Sequence, residues 1–294
     1  YKAGGFNLDR AGLARKNNNG PVLSTATLAS LQFAPEINNA YEIGAKYNGR
    51  GIDVNVAAFL QKFDNFQLNT FDGTRFIVEN INACKASLNG TDIDNSPITG
   101  ACTGDTKPGV SSRGVELEVF ARPVTDVAVN IGTTIVNTRY AENLVGSAGR
   151  PLTSALFQLP GRRLSNSSSF VGTGSISFNP RIGDGGMRAL FYVDARHQSA
   201  FNTGSDLDLE KVQPSYTVVN GRIGIQGPDR RWAVELWAQN IFNEDYLQVA
   251  FDAFAQGSGT ERGVRQGFYP RSNQLFGAFL AEPRTYGLTV RTRL

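Results

Sequence analysis

The single histidine of this 294-residue chain, His197, stands two residues before Ser199. An imidazole beside a hydroxyl group can activate that group as a nucleophile by general-base action. Asp194, however, has the opposite parity along an alternating strand, so it cannot orient the ring from the same strand. Because His197 shares its parity with Phe191 and Val193, we interpret it as a residue at the rim of an outward, apolar face.

The chain offers little else from which an enzyme or a metal site could be built. One histidine cannot supply a multi-histidine metal or haem site. The sequence contains no phosphate-cradling glycine loop, no CxxC spacing and no carboxylate pair in a glycosidase-like context. We therefore expect no enzymatic activity, no bound metal and no cofactor.

The two cysteines, Cys84 and Cys102, lie in one polar segment. The Asn, Gly and Ser content of this segment is typical of a loop. Two thiols in one loop without a neighbouring histidine favour a disulfide over a metal site. A disulfide in turn favours an oxidising compartment.

The charge distribution and hydropathy exclude several classes of protein. The 29 Lys and Arg residues and 26 Asp and Glu residues give a net charge of +3, and the absence of a basic run argues against a nucleic-acid partner. No run of about eighteen apolar residues is present, which excludes a transmembrane helix but leaves transmembrane strands possible. The opening segment, YKAGGFNLDR, does not resemble a signal peptide. We therefore expect either an intracellular protein or the C-terminal part of a longer one.

Alternation of apolar and polar residues predicts that most of the chain consists of β-strands. Ile43 and Tyr47 share one side of a first strand, Glu42 and Lys46 share the other, and a glycine-rich turn at 48–51 leads into a second strand. The high content of Gly (32 residues) and Phe (19 residues) also fits a β protein. Similar alternating segments recur at 114–122, 127–137, 168–178, 187–197, 217–225, 232–240 and 286–294.

The connections between these segments alternate between short and long. The short ones are at 48–51, 122–126, 179–186 and 226–231, and the long ones are at 71–112, 139–167, 198–214 and 251–282. Loops longer than about 12 to 15 residues are uncommon in compact domains, whereas outer-membrane barrels combine short periplasmic turns with long extracellular loops. The pattern predicts an all-β, antiparallel transmembrane barrel with an apolar face towards lipid and a polar face towards the lumen. A soluble β-rich protein or solenoid would show the same two-residue period and is the alternative.

Five segments resemble the TonB-dependent outer-membrane receptor family, in the order in which that family carries them. They are YKAGGFN at 1–7, FAPEINNAYEIGAKYNGR at 33–50, SRGVELEV at 112–119, WAVELWAQNIFNEDY at 232–246 and EPRTYGLTVRTRL at 282–294. Each match is weak by itself, and together they span nearly the whole chain. One departure is Leu294, since the family usually ends in phenylalanine.

The resemblance implies a barrel of about 22 strands whose lumen is closed by an N-terminal plug domain. With about ten strands, including a partial one near Tyr1, residues 1–294 would form the C-terminal portion of that barrel, without the signal peptide, the plug or the short TonB-contacting box. The implied function is active uptake of a scarce ligand across the bacterial outer membrane, driven by TonB through the plug. A ferric siderophore is the commonest ligand in the family, although vitamin or glycan uptake fits the residues equally well. The rival hypothesis is a passive porin or an adhesin-like barrel.

The candidate ligand contacts are aromatic and cationic residues of the predicted long extracellular loops, because such side chains suit an anionic ferric chelate. They are Arg139, Tyr140, Phe251, Phe254, Arg262, Arg265, Phe268, Tyr269 and Arg271. The alternative is that these residues are solvated loop groups or an aromatic girdle at the membrane interface.

A second set of candidates shares the lumen-facing parity of the strands. This set consists of Glu116, Glu118, Glu235, Arg291 and Arg293. These side chains could pair with one another or with the plug, or they could line a hydrated lumen. The sequence favours a hydrated lining.

Overall fold

The computed structural model describes residues 1–7, 15–17, 20–22, 31–71, 76–88, 100–153, 156–251 and 276–293. Its largest element is a ten-stranded antiparallel sheet, which we call the wall. Nine wall strands follow one another in chain order, and the short strand Arg181–Ile182 pairs with one of them. The nine are β1 (Ile37–Gly49), β2 (Ile52–Asp64), β3 (Val110–Val124), β4 (Val127–Tyr140), β5 (Phe170–Phe178), β6 (Met187–Gln198), β7 (Tyr216–Gln226), β8 (Trp232–Gln239) and β9 (Thr285–Thr292).

Tight turns join the wall strands in pairs at one end of the sheet. Gly51, in the turn between β1 and β2, has a φ of +78°, which a residue with a side chain rarely adopts, and a Cβ there would lie 2.9 Å from the carbonyl oxygen of Arg122. Within the described residues, β1 and β9 each pair with only one neighbour, so the sheet is open. The all-β, antiparallel prediction of about ten strands is thus confirmed.

The strand register gathers apolar side chains into continuous rows on one face of the wall. Ile43 pairs with Ala58, Ala58 with Val115, Val115 with Ile135, and Ile135 with Phe170. Because residues directly opposite each other on neighbouring strands point to the same face, the row crosses five strands on a single face. Ile43 is 77% exposed and Ile135 is 58% exposed, so the row lies on the surface of the chain. We call this face the outer face.

The opposite face, which we call the inner face, is polar. Lys46 pairs with Asn55, Asn55 with Glu118, Glu118 with Gly132, and Gly132 with Thr173. This row crosses the same five strands on the other face of the pleat. A surface that is apolar over many strands, backed by a polar one, is the arrangement that a lipid-facing sheet requires. Among the described residues, no helix is long and apolar enough to cross a membrane.

The four long connections lie at the other end of the wall, and we call their described residues the cap: 65–71, 76–88, 100–109, 141–153, 156–169, 199–215, 240–251 and 276–284. The stretches 71–112, 139–167, 198–214 and 251–282 were predicted to be loops, but their described residues contain strands of their own. Among the described residues, three 3₁₀ segments also occur: Ser147–Gly149 and Leu209–Lys211 in the cap, and Pro228–Arg230 at the short-turn end. The cap strands are Phe66–Phe71, Phe76–Cys84, Thr106–Pro108, Leu144–Val145, Phe201–Asn202, Val212–Gln213, Leu247–Phe251 and Gly277–Leu280.

The cap has a hydrophobic core that three of the long connections share. Four of its strands form one sheet, which explains the departure from the loop prediction: backbone groups buried beside a core need hydrogen-bond partners, and strand pairing supplies them. The residues of the core are Leu68, Ile81, Val110, Tyr140, Leu144, Leu152, Leu156, Phe157, Leu159 and Leu207.

Backbone hydrogen bonds from the two residues of a disulfide join the first long connection to the second. Cys84 and Cys102 are disulfide-bonded, with their Cα atoms 5.4 Å apart. The backbone N–H of Cys102 donates to Gly149 at 2.8 Å, and that of Cys84 donates to Asn143 at 2.9 Å. The disulfide therefore stabilises the segment of the first connection whose backbone makes this contact with the second.

The segment near Tyr1 was predicted to be a partial strand of the barrel, and its pairing differs from that prediction. Gly5–Phe6 pairs with Gln32–Phe33 in a separate two-stranded sheet, and Lys2 forms an isolated bridge with Glu36. The remaining short pair is Arg15–Asn17 with Gly20–Val22.

Candidate functional site

Two cavities lie against the inner face where β3 to β9 meet. Their volumes are about 530 Å³ and 380 Å³, and both are lined by Tyr192, Asp194 and Asn220. The Asn220 side-chain amide donates to Asp194 at 2.8 Å. The guanidinium of Arg222 stacks 4.5 Å from the centre of the Tyr192 ring, within the range of a cation–π contact. The inner face thus presents aromatic and charged groups that already have partners within the wall.

Glu235 is the most deeply buried charged group of the inner face. It is 3% exposed, and its carboxylate accepts a hydrogen bond from Arg291 Nη1 at 2.6 Å. Arg222 Nη1 lies 3.9 Å from the other carboxylate oxygen. Gly224 leaves the space for this side chain, since a Cβ there would lie 3.0 Å from Glu235 Cγ. The sequence left open whether these charged residues pair with one another, pair with the plug or line a hydrated lumen. Glu235 and Arg291 pair with each other.

The other residues expected in the lumen remain near water. The side chain of Glu118 accepts from Asn55 Nδ2 at 3.3 Å, and Glu116 lies opposite Thr134 on the same face. Arg293 follows the end of β9, where its backbone N–H donates to Arg231 at 2.8 Å. Their position inside a closed lumen stays a prediction, because the sheet is open.

Arg139 was predicted to lie in a long loop, and that placement is wrong, since it belongs to β4. Its side chain is exposed and donates to Asn137 Oδ1 at 2.8 Å and to the carbonyl of Gly161 at 3.1 Å. The backbone of Arg139 also forms an isolated antiparallel β-bridge with that of Arg163 in the cap. Burial and the charge of Arg139 both lower the pKa of Arg163. Arg139 therefore fixes the second long connection to the wall, and its role as a ligand contact stays a prediction.

Tyr140 was also placed in a loop, and the structure corrects this to the last residue of β4. Tyr140 is 2% exposed and belongs to the cap core, where its ring packs edge-on against Phe66 at 6.4 Å. The placement follows from β4, which continues into the cap and carries this aromatic side chain under the second connection. In this conformation a ligand in solvent cannot reach it.

Phe251 ends a cap strand, and its ring lies 5.6 Å from that of Phe279. It is half-buried, so its use as a ligand contact stays a prediction. The remaining predicted contacts lie outside the described residues: Phe254, Arg262, Arg265, Phe268, Tyr269 and Arg271.

The structure brings together a polar cluster that the sequence did not indicate. Tyr216 and Tyr246 stack with ring centres 4.0 Å apart. The Tyr216 hydroxyl and Arg196 Nη2 both donate to Gln198 Oε1 at 2.9 Å, and Gln198 Nε2 donates to Ser168 at 2.7 Å. Tyr216 shares the parity of Arg222, which was the one signal that could have placed it on the inner face. The cluster closes the cap end of the larger cavity.

A second unpredicted cluster holds the third long connection. Lys211 is 2% exposed, and its Nζ lies 2.7 Å from Asp206 and 3.7 Å from Asp208. Buried charges are costly unless they are paired, so this trio fixes the conformation of residues 201–213. Among the described residues, no group of three or more His, Cys, Asp or Glu side chains is placed to hold a metal ion.

His197 and Ser199 have separate partners. His197 Nδ1 lies 2.9 Å from Thr217 Oγ1. The Ser199 hydroxyl lies 3.0 Å from that of Ser169 and accepts a hydrogen bond from the backbone of Phe170. The contact between the His197 imidazole and the Ser199 hydroxyl that activation of Ser199 would require is therefore not made.

Comparison with known proteins identifies the class of this fold. The model of the TonB-dependent receptor-like β-barrel family matches residues 3–241, and the chain belongs to that family. Its members are receptors and transporters of bacterial outer membranes. A comparison with curated protein sequences found no match.

Several solved structures share the fold. The ferric yersiniabactin uptake receptor from Yersinia pestis aligns with a TM-score of 0.61 at 14% identity, covering 89% of this chain and 30% of the receptor. The siderophore receptor PiuA from Acinetobacter baumannii gives 0.56 at 12% identity, covering 93% and 30%. The copper transporter OprC gives 0.53 at 12% identity, covering 91% and 32%. The chain spans about a third of the length of these proteins, and at such identities the likeness concerns the fold alone.

Proposed function

We propose that this chain is the C-terminal portion of the barrel of a TonB-dependent outer-membrane transporter that takes up a ferric siderophore. The observation that carries the proposal is the opposite character of the two faces of the wall. The outer face has exposed apolar rows across its strands, whereas the inner face has paired charges and cavities. A sheet with these faces suits a barrel wall between lipid and a hydrated or plugged lumen.

The structural neighbours support siderophore uptake as the first function to test. Two of the three neighbours described above carry names of siderophore uptake receptors. The third is named a copper transporter, so the same wall is compatible with another cargo. TonB would act through a plug that lies outside this chain, and the cap would face the cell exterior.

Uptake by cells carrying the intact gene tests the proposal. A deletion strain and the same strain complemented with the intact gene are grown under iron limitation. Both are given iron-55 complexes of catecholate, hydroxamate and carboxylate siderophores. We expect the complemented strain to accumulate at least one complex and the deletion strain to lose that uptake. Radioactive copper without a chelator serves as the competing cargo. Uptake of copper alone would contradict the siderophore assignment.

The energy requirement separates a transporter from a passive porin. Removing TonB or adding a protonophore should abolish accumulation, because gated uptake against a gradient needs an energy source. Uptake that continues unchanged without TonB would contradict active transport.

A further inference from the structure

The outer face carries a groove where β6, β7, β8 and β9 lie side by side. Its volume is about 670 Å³, within the usual range of small-molecule sites. Gly221 and Ala238 are register partners at its floor. Val193 pairs with Gly221 on one side, and Tyr286 pairs with Ala238 on the other. The groove exists because the two central members of this row have almost no side chain.

The next row of residues along the strands forms one side of the groove. Ile223 pairs with Leu236, and Leu236 pairs with Leu288. All three side chains are exposed, so the groove is open on the face that carries the other apolar rows. Ile241 reaches over the floor, because a Cβ on Gly221 would lie 3.2 Å from its Cδ1 atom. The lining residues with outer-face parity are therefore mostly aliphatic, with the tyrosine Tyr286, whereas Tyr192, Arg222 and Trp237 also line the groove but have inner-face parity.

A cation lies at the cap end of the groove. The Arg284 guanidinium donates to the carbonyl of Ile241, a lining residue, at 3.4 Å. Its backbone N–H donates to the side chain of Asn243 at 3.0 Å. Arg284 is exposed and precedes Tyr286 by two residues. The arrangement thus places a positive charge where the apolar groove meets the cap.

We propose that this groove binds one acyl chain of lipid A, the phosphorylated glycolipid of the outer leaflet, while Arg284 binds its phosphate. The groove is continuous with the lipid-facing rows, so a hydrocarbon chain is the occupant it meets. Its cap end faces the exterior under the proposed membrane orientation, which selects the outer leaflet. A guanidinium pairs well with phosphate. The inference rests on that orientation and is independent of the transported cargo.

Photocrosslinking tests the position of the lipid in the intact receptor. The full gene product is reconstituted into nanodiscs that contain lipid A with a photoreactive group on one acyl chain. We expect labelled peptides from residues 221–241 and 284–288 above all. Uniform labelling of the outer face would overturn the proposal, and so would equal labelling of the groove by photoreactive phosphatidylglycerol.

Native mass spectrometry of variants tests the groove and the cation separately. Ala238→Phe fills the floor and should lower the retained fraction of lipid A by about tenfold, since each lost acyl methylene contact weakens binding. The matched control is Ala58→Phe, the same change on the outer face of β2, which should retain the wild-type fraction. Equal retention by the two variants would overturn the groove assignment.

Arg284→Gln should reduce retention of bisphosphorylated lipid A about threefold, while leaving that of a dephosphorylated form unchanged. Arg181→Gln, at the opposite end of the wall, is the control. An equal loss for both lipid forms would overturn the phosphate contact. Siderophore uptake is measured in the same strains: lipid retention without uptake would contradict the proposed function and leave this inference standing.

Discussion

The wall and the cap place their large apolar side chains in opposite surroundings. On β4, Ile135 is 58% exposed, whereas Tyr140, five residues later, is 2% exposed. Ile135 lies on the outer face of the wall, where no protein covers it among the described residues. Tyr140 belongs to the cap core together with Leu144 and Leu156. The cap therefore suits water, because it buries its own apolar groups, whereas the exposed apolar rows of the wall suit a hydrocarbon surrounding.

Charged groups follow one rule in both regions. Lys211 of the cap and Glu235 of the wall are each nearly inaccessible, and each has an opposite charge within 2.7 Å. Pairing is what makes a buried charge tolerable in either surrounding. The regions therefore differ in where they put apolar surface and agree in how they bury charge.

The largest expected effect comes from removing the rest of the barrel. Residues 1–294 expressed alone should misassemble or aggregate in detergent, because β1 and β9 would present unpaired edges next to an apolar face. Size-exclusion chromatography with limited proteolysis measures this, and the intact gene product is the control. Recovery of a well-dispersed, protease-resistant monomer would contradict the need for the missing strands.

A buried cation of the cap should matter more than an exposed one. Lys211→Met leaves Asp206 and Asp208 without the cation between them and should cost about 3–5 kcal/mol of cap stability. Lys85→Met is the matched control, because Lys85 pairs with Asp105 on the surface and exposed pairs are worth about 0–1 kcal/mol. Rates of protease cleavage within the cap of the intact receptor would report both changes. Equal cleavage rates in the two variants would count against a charge-locked connection.

Truncating the same residue type in the two regions tests the solvent difference directly. Leu156→Ala, at a position with 0% exposure, should destabilise the cap by about 2–5 kcal/mol, since it leaves a cavity. Leu288→Ala, at a position with 61% exposure on the outer face, should cost much less in a bilayer, because lipid fills the space. Denaturant unfolding of the intact receptor in vesicles measures both. The comparison fails if the wall variant is the less stable one.

The smallest effect is expected for the charge pair of the wall. Glu235→Gln keeps the shape of the side chain but removes the charge-assisted hydrogen bond with Arg291, a loss of about 1.5–3 kcal/mol at most. Because the Arg291 side chain is exposed and water can bind it in the variant, we expect the loss of stability to lie at the low end of this range. Glu118→Gln on the same face should be nearly neutral, and a shift in unfolding midpoint as large as that of Glu235→Gln would show that burial is not the cause.

Strand pattern and face were largely predictable, because a two-residue period is a local property of the chain. The parity of Ile43 and Glu42 was enough to assign their faces, and the turn at 48–51 fixed the first hairpin. The order of short and long connections placed the cap at one end. The structure agrees with each of these predictions.

The candidate site was less predictable, because its contacts join residues far apart in sequence. The partner of Glu235 is 56 residues away, and Tyr216 meets Tyr246 through the fold alone. Tyr140 looked like a loop residue, since nothing in its neighbours revealed that β4 continues into the cap. The strands of the cap were missed because most of them have only two to five residues, and the pairing of Leu144–Val145 with Phe76–Cys84 joins two different connections.

The strands, their two faces, the hairpin order and the resemblance to a receptor family could all be read from the sequence, since local alternation and turn residues encode these features. Which apolar residues are covered and which stay exposed became clear from the fold. The same alternation can build a lipid-facing wall or a water-facing cap, and the choice depends on whether distant segments pack over it.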